Sequence, residues 1–218
     1  MLFKQYGNVK INVKEMNIDA LSMSGHKFYG PKGIGAIYVK DGVNFLKLQN
    51  GGHQEKDKRS GTENVPGIVG IGKAIELAYE NFDYKHKKLQ EIKDYYLEQV
   101  KEKINDIKVN GDLVSRLPGN MNISFKDVDG DALLFNLDEK GICASTGSAC
   151  SSGSSKASHV LSAIGVSENY IDGTLRTTFG AENTREEIDF LVESLAEIVD
   201  RLRKIEDECK IMYEKNNL

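Results

Sequence analysis

"SMSGHKFYGPKGIGAIYV", residues Ser22 to Val39, sets Lys27 inside a tight frame of Ser24, Gly25 and His26, followed by the aromatic pair Phe28-Tyr29. The run "GIGAIYVKDG" that follows is β-rich and closes on Asp41-Gly42, a turn pair. Partial alternation from Ile18 to Met23 suggests a strand on the other side, so Lys27 falls in a connection between two short strands. An amine nucleophile must lose a proton at working pH, which burial or a neighbouring cation promotes. His26, Phe28 and Tyr29 can supply such surroundings, while Ser24 and the Gly-rich turn offer hydroxyl and N–H donors to an anion. Spacing alone leaves Lys27 as one of 29 basic residues. "GPKGIG" lacks the spacing of a nucleotide P-loop, and "GIVGIG" at Gly67–Gly72 lacks the order of the dinucleotide fingerprint.

Outward from this stretch, Val9 to Val13 also alternates in part and suggests a short strand or strand end. The polar loop "GGHQEKDKRSGTEN" leads into a helix over Val65–Tyr79, with Ile68, Ile71, Ile75 and Ala78 at helical spacing. A longer helix runs from about Tyr84 to Ile107, its stripe made of Leu89, Ile92, Tyr96, Val100 and Ile104. "MNISF" reads as a strand, "DGDALLFNLDEKG" as a helix stopped by Gly141, and "ICA" as a short apolar strand that puts Cys143 in the core as inert packing. Ser145 to Ser158 has no large apolar residue and reads as a loop. "SHVLSAIG" is a short helix, with His159 near its start, and "GTLRTTFG" is a strand. Thr184 with Glu187 forms a capping box for a last helix whose buried side is Ile188, Leu191, Leu195, Ile198, Leu202 and Ile205. The order after residue 110 is an α+β unit, whereas the first 70 residues hold too few strands and helices to cover a sheet.

The composition narrows the function classes. Of 218 residues, 39% are apolar and 28% charged, and the formal net charge is −4, which fits a globular protein and excludes a nucleic-acid polycation. No run approaches a membrane span, and the first twenty residues lack the pattern of a secretory signal, so the expected compartment is the cytoplasm. Three cysteines without a C-x-x-C indicate neither a disulfide framework nor a clustered zinc site, and Cys143, Cys150 and His159 match no metal spacing.

"SMSGHKFYGPKGIGAIYV" together with "GGHQEKDKRSGTENVPGIVGIGKA" (Gly51–Ala74) resembles the cofactor-lysine region of the cysteine desulfurases of the iron-sulfur assembly and nitrogen-fixation type. These are class V aminotransferases, pyridoxal-phosphate enzymes of the aspartate aminotransferase superfamily. The resemblance implies that Lys27 is the lysine bonded to pyridoxal 5'-phosphate, that Ser24 and His26 contact its phosphate, and that Thr62 reaches the phosphate of a neighbouring subunit. "GSAC" (Gly147–Cys150) resembles the mobile loop bearing the sulfur-accepting cysteine, hence Cys150, and "LRTTFG" (Leu175–Gly180) the strand whose arginine binds the substrate carboxylate, hence Arg176. An arginine suits that role because its planar fork pairs with both carboxylate oxygens.

The implied fold is α/β: residues 1–80 as the C-terminal portion of the cofactor-binding large domain, and 81–218 as a linking helix and small α+β domain carrying the cysteine loop. The implied activity converts L-cysteine to L-alanine with a persulfide on Cys150, which passes to a sulfur-acceptor or iron-sulfur scaffold protein. The resemblance covers the C-terminal half of the family only. Where the family has a D-A-x-Q segment, pairing an aspartate with the ring nitrogen, Met1 to Lys4 supply no carboxylate. The expectations are therefore weak or no activity for the isolated chain, a homodimer for the complete enzyme, and a split, truncated or misannotated reading frame as the origin, the split case implying a separately encoded N-terminal half as its complement. A non-catalytic partner-binding module and a selenocysteine lyase or other class V aminotransferase stand as alternatives.

Overall fold

The computed structural model describes residues 7–146 and 158–216. The chain divides into two compact units, Met1–Lys85 and His86–Leu218.

In the first unit, β1 (Ala20–Ser24) pairs antiparallel with β2 (Gly35–Val39), in a register that sets Ser24 opposite Gly35 and Ala20 opposite Val39. Between them Gly25–Phe28 forms one 3-10 turn. Of the Val9–Val13 stretch only Val9 takes part in a β-bridge, so it is a strand end and not a strand, and Val13–Asn17 forms a turn before β1. A single turn, α1 (Gln54–Asp57), has left-handed backbone at Glu55, Lys56 and Asp57. Helix α2 (Val65–Tyr79) keeps the expected limits, because the Asn64 side chain accepts from Gly67 N at 3.2 Å and Pro66 sits in the first turn, where a missing N–H costs nothing. Its buried side is Gly67, Ile71 and Ala74, with Ile68 turned outward. Phe28, Ile71 and Ala74 form a small apolar cluster, with Met23, Ile34 and Ile75 packed against it.

Helix α3 (Phe82–Lys103) leads into the second unit. It ends before Ile107 because Asp106 adopts φ +51, which turns the chain into β3 (Ile107–Val109). Strands β3, β4 (Asn120–Phe125) and β5 (Thr174–Thr178) make an antiparallel sheet in the order β3-β4-β5. Helix α4 (Gly130–Glu139) stops as the sequence suggests: Gly141, at φ +75, donates to Asp138 O, and Ile142 N donates to Leu137 O, which together satisfy two end carbonyls. Short helices α5 (His159–Ala163) and α6 (Glu168–Ile171) precede β5, and α7 (Arg185–Asn216) closes the unit. The Thr184–Glu187 capping box forms in both directions, Thr184 N to Glu187 Oε2 at 3.1 Å and Glu187 N to Thr184 Oγ1 at 3.3 Å.

Alternation along β4 sends Met121, Ile123 and Phe125 to one face of the sheet. There they join Leu89, Ile92, Tyr96 and Val100 of α3, Leu133 and Leu137 of α4, and the α7 stripe in one core. Within that stripe Val192 and Val199 are buried as well, whereas Ile205 is half exposed. The "ICA" run is not a strand, and Cys143 is exposed rather than in the core. Its expected burial rested on a strand pairing that the chain delays until Ser145, the one residue of this segment that bridges to β5.

Candidate functional site

The Lys27 turn is built from opposite demands on neighbouring residues. Gly25 is buried, and its N–H donates to Ile34 O while its carbonyl accepts from Gly30 N, both at 2.9 Å. A Cβ on Gly25 would stand 2.9 Å from Pro31 O and 3.0 Å from Ile34 Cγ2, so only glycine fits. Phe28 is driven into the cluster with Ile71 and Ala74 and anchors the turn on α2. Between these two anchors His26 and Lys27 are exposed. Ser24 Oγ and His26 Nδ1 lie 2.9 Å apart. The Lys27 ammonium has neither an acceptor nor a counter-ion among the described residues.

Thr62 is exposed, in the loop between the buried Ser60 and the Asn64 cap of α2. Ser60 Oγ donates to Gly52 O at 2.8 Å and ties down this loop, a role that the sequence reading did not assign. Among the described residues, no hydrogen bond joins Thr62 to Ser24, His26 or Lys27. Earlier in the same loop, Asp57 accepts from Lys47 Nζ at 2.7 Å and lies 3.1 Å from His53 Nδ1. The hydrogen bond from Lys47 first, and that from His53 second, hold its carboxyl below the usual carboxylate range.

Arg176 belongs to the second unit, at the middle of β5, and is half-buried. Its backbone N–H donates to Ser145 O at 2.6 Å, and its guanidinium has no acceptor among the described residues. Cys150 falls within residues 147–157, outside the described residues. His159 is exposed in the first turn of α5, and Cys209 is exposed on α7. Among the described residues, no three His, Cys, Asp or Glu side chains converge closely enough to hold a metal, and no helix is long and apolar enough to cross a membrane.

The sequence reading also missed the polar face of the second unit's sheet. Asn110 Nδ2 donates to Asn122 Oδ1 at 2.8 Å and to Ser124 Oγ at 2.7 Å, and Ser124 Oγ lies 2.6 Å from Thr174 Oγ1. The available signal was the alternation in "NMNISF", where Asn120, Asn122 and Ser124 interleave with Met121, Ile123 and Phe125.

The family model for class-V aminotransferases matches residues 4–191. A cysteine desulfurase IscS of Clostridium botulinum is 48% identical over 215 residues, covering 96% of this chain and 54% of the relative. A cysteine desulfurase IscS of Dictyoglomus turgidum is 47% identical over 199 residues, covering 91% and 50%. The solved structure of a NifS-like protein from Rickettsia africae matches with a TM-score of 0.83 at 31% identity, over 91% of this chain and 52% of that one. The chain thus spans about half the length of the curated relatives it matches. With most of its residues inside the family model and nearly half of them identical to those relatives, the chain belongs to the class-V aminotransferase family, in its pyridoxal-phosphate-dependent NifS/IscS cysteine desulfurase group.

Proposed function

We propose that this chain carries the cofactor lysine, the substrate-carboxylate arginine and the sulfur-accepting cysteine of a cysteine desulfurase. The observation that carries the proposal is the Lys27 turn: an amine with no partner among the described residues, on a base fixed by Gly25 and Phe28, beside the Ser24–His26 pair. A primary amine, two hydroxyls and an imidazole suit an aldehyde that bears a phosphate, so the donor set of Ser24, His26, Lys27 and Thr62 fits pyridoxal phosphate. Lys27 would hold its carbonyl carbon, and Ser24, His26 and Thr62 its phosphate, Thr62 from the partner subunit of a homodimer. When bound, the cofactor supplies an electron-withdrawing ring that eases loss of a proton from the substrate's Cα.

The chain's own groups then divide the work. Arg176 takes the α-carboxylate of L-cysteine in a charge-assisted pair. Lys27, as free amine, moves the Cα proton. Cys150, as thiolate, attacks the substrate sulfur; an S–S bond forms on the enzyme as the substrate's C–S bond breaks and leaves its electron pair on the carbon side, Cβ takes up a proton, Cα regains the one Lys27 removed, and L-alanine leaves. The persulfide passes to a sulfur-acceptor or iron-sulfur scaffold protein in the cytoplasm.

The first unit is proposed as part of the cofactor-binding large domain and the second as the small domain, with the division near residue 80. Support comes from the contrast between the small Phe28–Ile71–Ala74 cluster and the exposed apolar Leu46, Leu48, Val65 and Val69, surface that a larger domain would cover. Residues 1–218 alone are proposed to turn over slowly or not at all, since Met1 to Lys4 provide no carboxylate for the ring nitrogen.

The test is to treat the chain with pyridoxal phosphate, reduce with borohydride and map the labelled lysine by mass spectrometry. Label concentrated on Lys27, and lost in Lys27→Ala, is the expected result. Label spread over the exposed lysines alike in both proteins overturns the assignment. Incubation with L-cysteine after mixing with an N-terminal half should leave a persulfide on Cys150 and release alanine in equal amount.

A further inference from the structure

Across the second unit's sheet, four residues stand in one row. Ser145 pairs with Arg176 through its backbone, Arg176 is in register with Asn122, and Asn110 N donates to Asn122 O at 2.9 Å. Arg176 spends its backbone groups on Ser145, and Asn122 accepts from Asn110 on its other side. Arg176 and Asn122 are therefore a non-hydrogen-bonded pair, the closer kind, with both side chains on the polar face.

The Asn122 amide is held. Its Oδ1 accepts from Asn110 Nδ2, and Asn110 is itself only 4% exposed and tied to Ser124 Oγ. Ser124 in turn meets Thr174, and both are fully buried. With Oδ1 held toward β3, the planar amide carries Nδ2 away from β3. That Nδ2 has no acceptor among the described residues, and neither does the Arg176 guanidinium. The half-buried end of this face thus presents a fixed neutral donor beside a cationic one, with no acidic partner for either among the described residues.

The geometry points to Asn122 as a second donor to the substrate carboxylate, placed by Asn110 and acting beside Arg176. This rests on the reading of Arg176 as the carboxylate ligand. Two adjacent donors, one charged, match an anion with several lone pairs on two oxygens, and the neutral amide adds direction where the arginine supplies charge. Asn110 is a positioning residue: it touches no ligand and fixes which amide atom Asn122 presents.

The experiment is an NMR titration of the 15N-labelled 218-residue chain with L-alanine, which carries the same α-carboxylate as L-cysteine, and with L-alaninamide, which lacks it. The expected result is that Arg176 Nε and Asn122 Nδ2 shift along one binding curve with L-alanine and stay still with the amide. Asn122→Leu should weaken L-alanine binding about tenfold, the loss of one hydrogen bond to a charged group. The wild-type titration decides the matter even if that variant fails to fold. Shifts at Arg176 with Asn122 unmoved, or an Asn122→Leu protein that binds L-alanine as well as wild type, overturn the role of Asn122 and leave Arg176 in place. Equal Asn122 shifts with L-alaninamide overturn recognition of the carboxylate. No shift at Arg176 overturns the carboxylate reading of that arginine and the proposal with it.

Discussion

Gly25→Ala and Gly33→Ala probe the base of the Lys27 turn by two different physical routes. At Gly25 there is no room: the added Cβ lies about 0.5 Å inside ordinary van der Waals separation from the Pro31 carbonyl. The backbone cannot move aside freely, since Gly25 N and O are both committed to hydrogen bonds at 2.9 Å. Overpacking of this kind costs about 1–3 kcal/mol. At Gly33 there is open space, and the obstacle is the backbone itself, held at φ +77. The left-handed conformation costs a residue with a Cβ about 1–2 kcal/mol. Asparagine separates the two routes because it tolerates left-handed backbone yet is larger than alanine. Gly33→Asn should therefore recover most of the loss seen in Gly33→Ala, while Gly25→Asn should fall below Gly25→Ala. Hydrogen exchange of the peptide spanning residues 22–39 reads the local stability. Borohydride trapping of pyridoxal phosphate reads the placement of Lys27, and should fall in Gly25→Ala and persist in Gly33→Asn. Wild-type protection in Gly25→Ala, or the same ranking of Ala and Asn at both positions, would refute the account of the turn.

In the second unit, Leu195→Ala removes a fully buried side chain of α7 and should cost about 2–5 kcal/mol by chemical unfolding, whereas Leu46→Ala in the first unit, at a 97% exposed position, should stay within about 0.5 kcal/mol. Thr184→Ala removes the N-cap of α7 and should cost about 1 kcal/mol; an unchanged melting temperature would show that the helix end is held by other contacts. Glu187 is held below the ordinary carboxylate range, first by its hydrogen bond from Asn183 and then by Thr184 N–H, so its contribution is present above the unfolded-state value near pH 4.5 and is lost as pH falls through the lower folded-state value. Melting curves across that acid range should fall less steeply for Glu187→Gln than for wild type; parallel curves would discard this linkage.

Much of the architecture is written locally. The limits of α2 follow from Asn64 and Pro66, the end of α4 from Gly141, and the start of α7 from the Thr184–Glu187 box, because caps and helical spacing need only residues a few positions apart. The place of Lys27, in a turn between two strands, was legible for the same reason. What the chain does with distant segments was not legible. Cys143 was expected inside and lies outside, since burial next to a strand depends on where pairing with β5 begins, and it begins at Ser145. Helix α3 stops early because Asp106 turns the chain so that β3 can pair with β4. The row Ser145–Arg176–Asn122–Asn110 joins residues from separate parts of the chain through strand register, and a local pattern carries no information about register. Local propensity therefore chose the elements, and the tertiary pairing of strands chose which polar side chains stand beside Arg176.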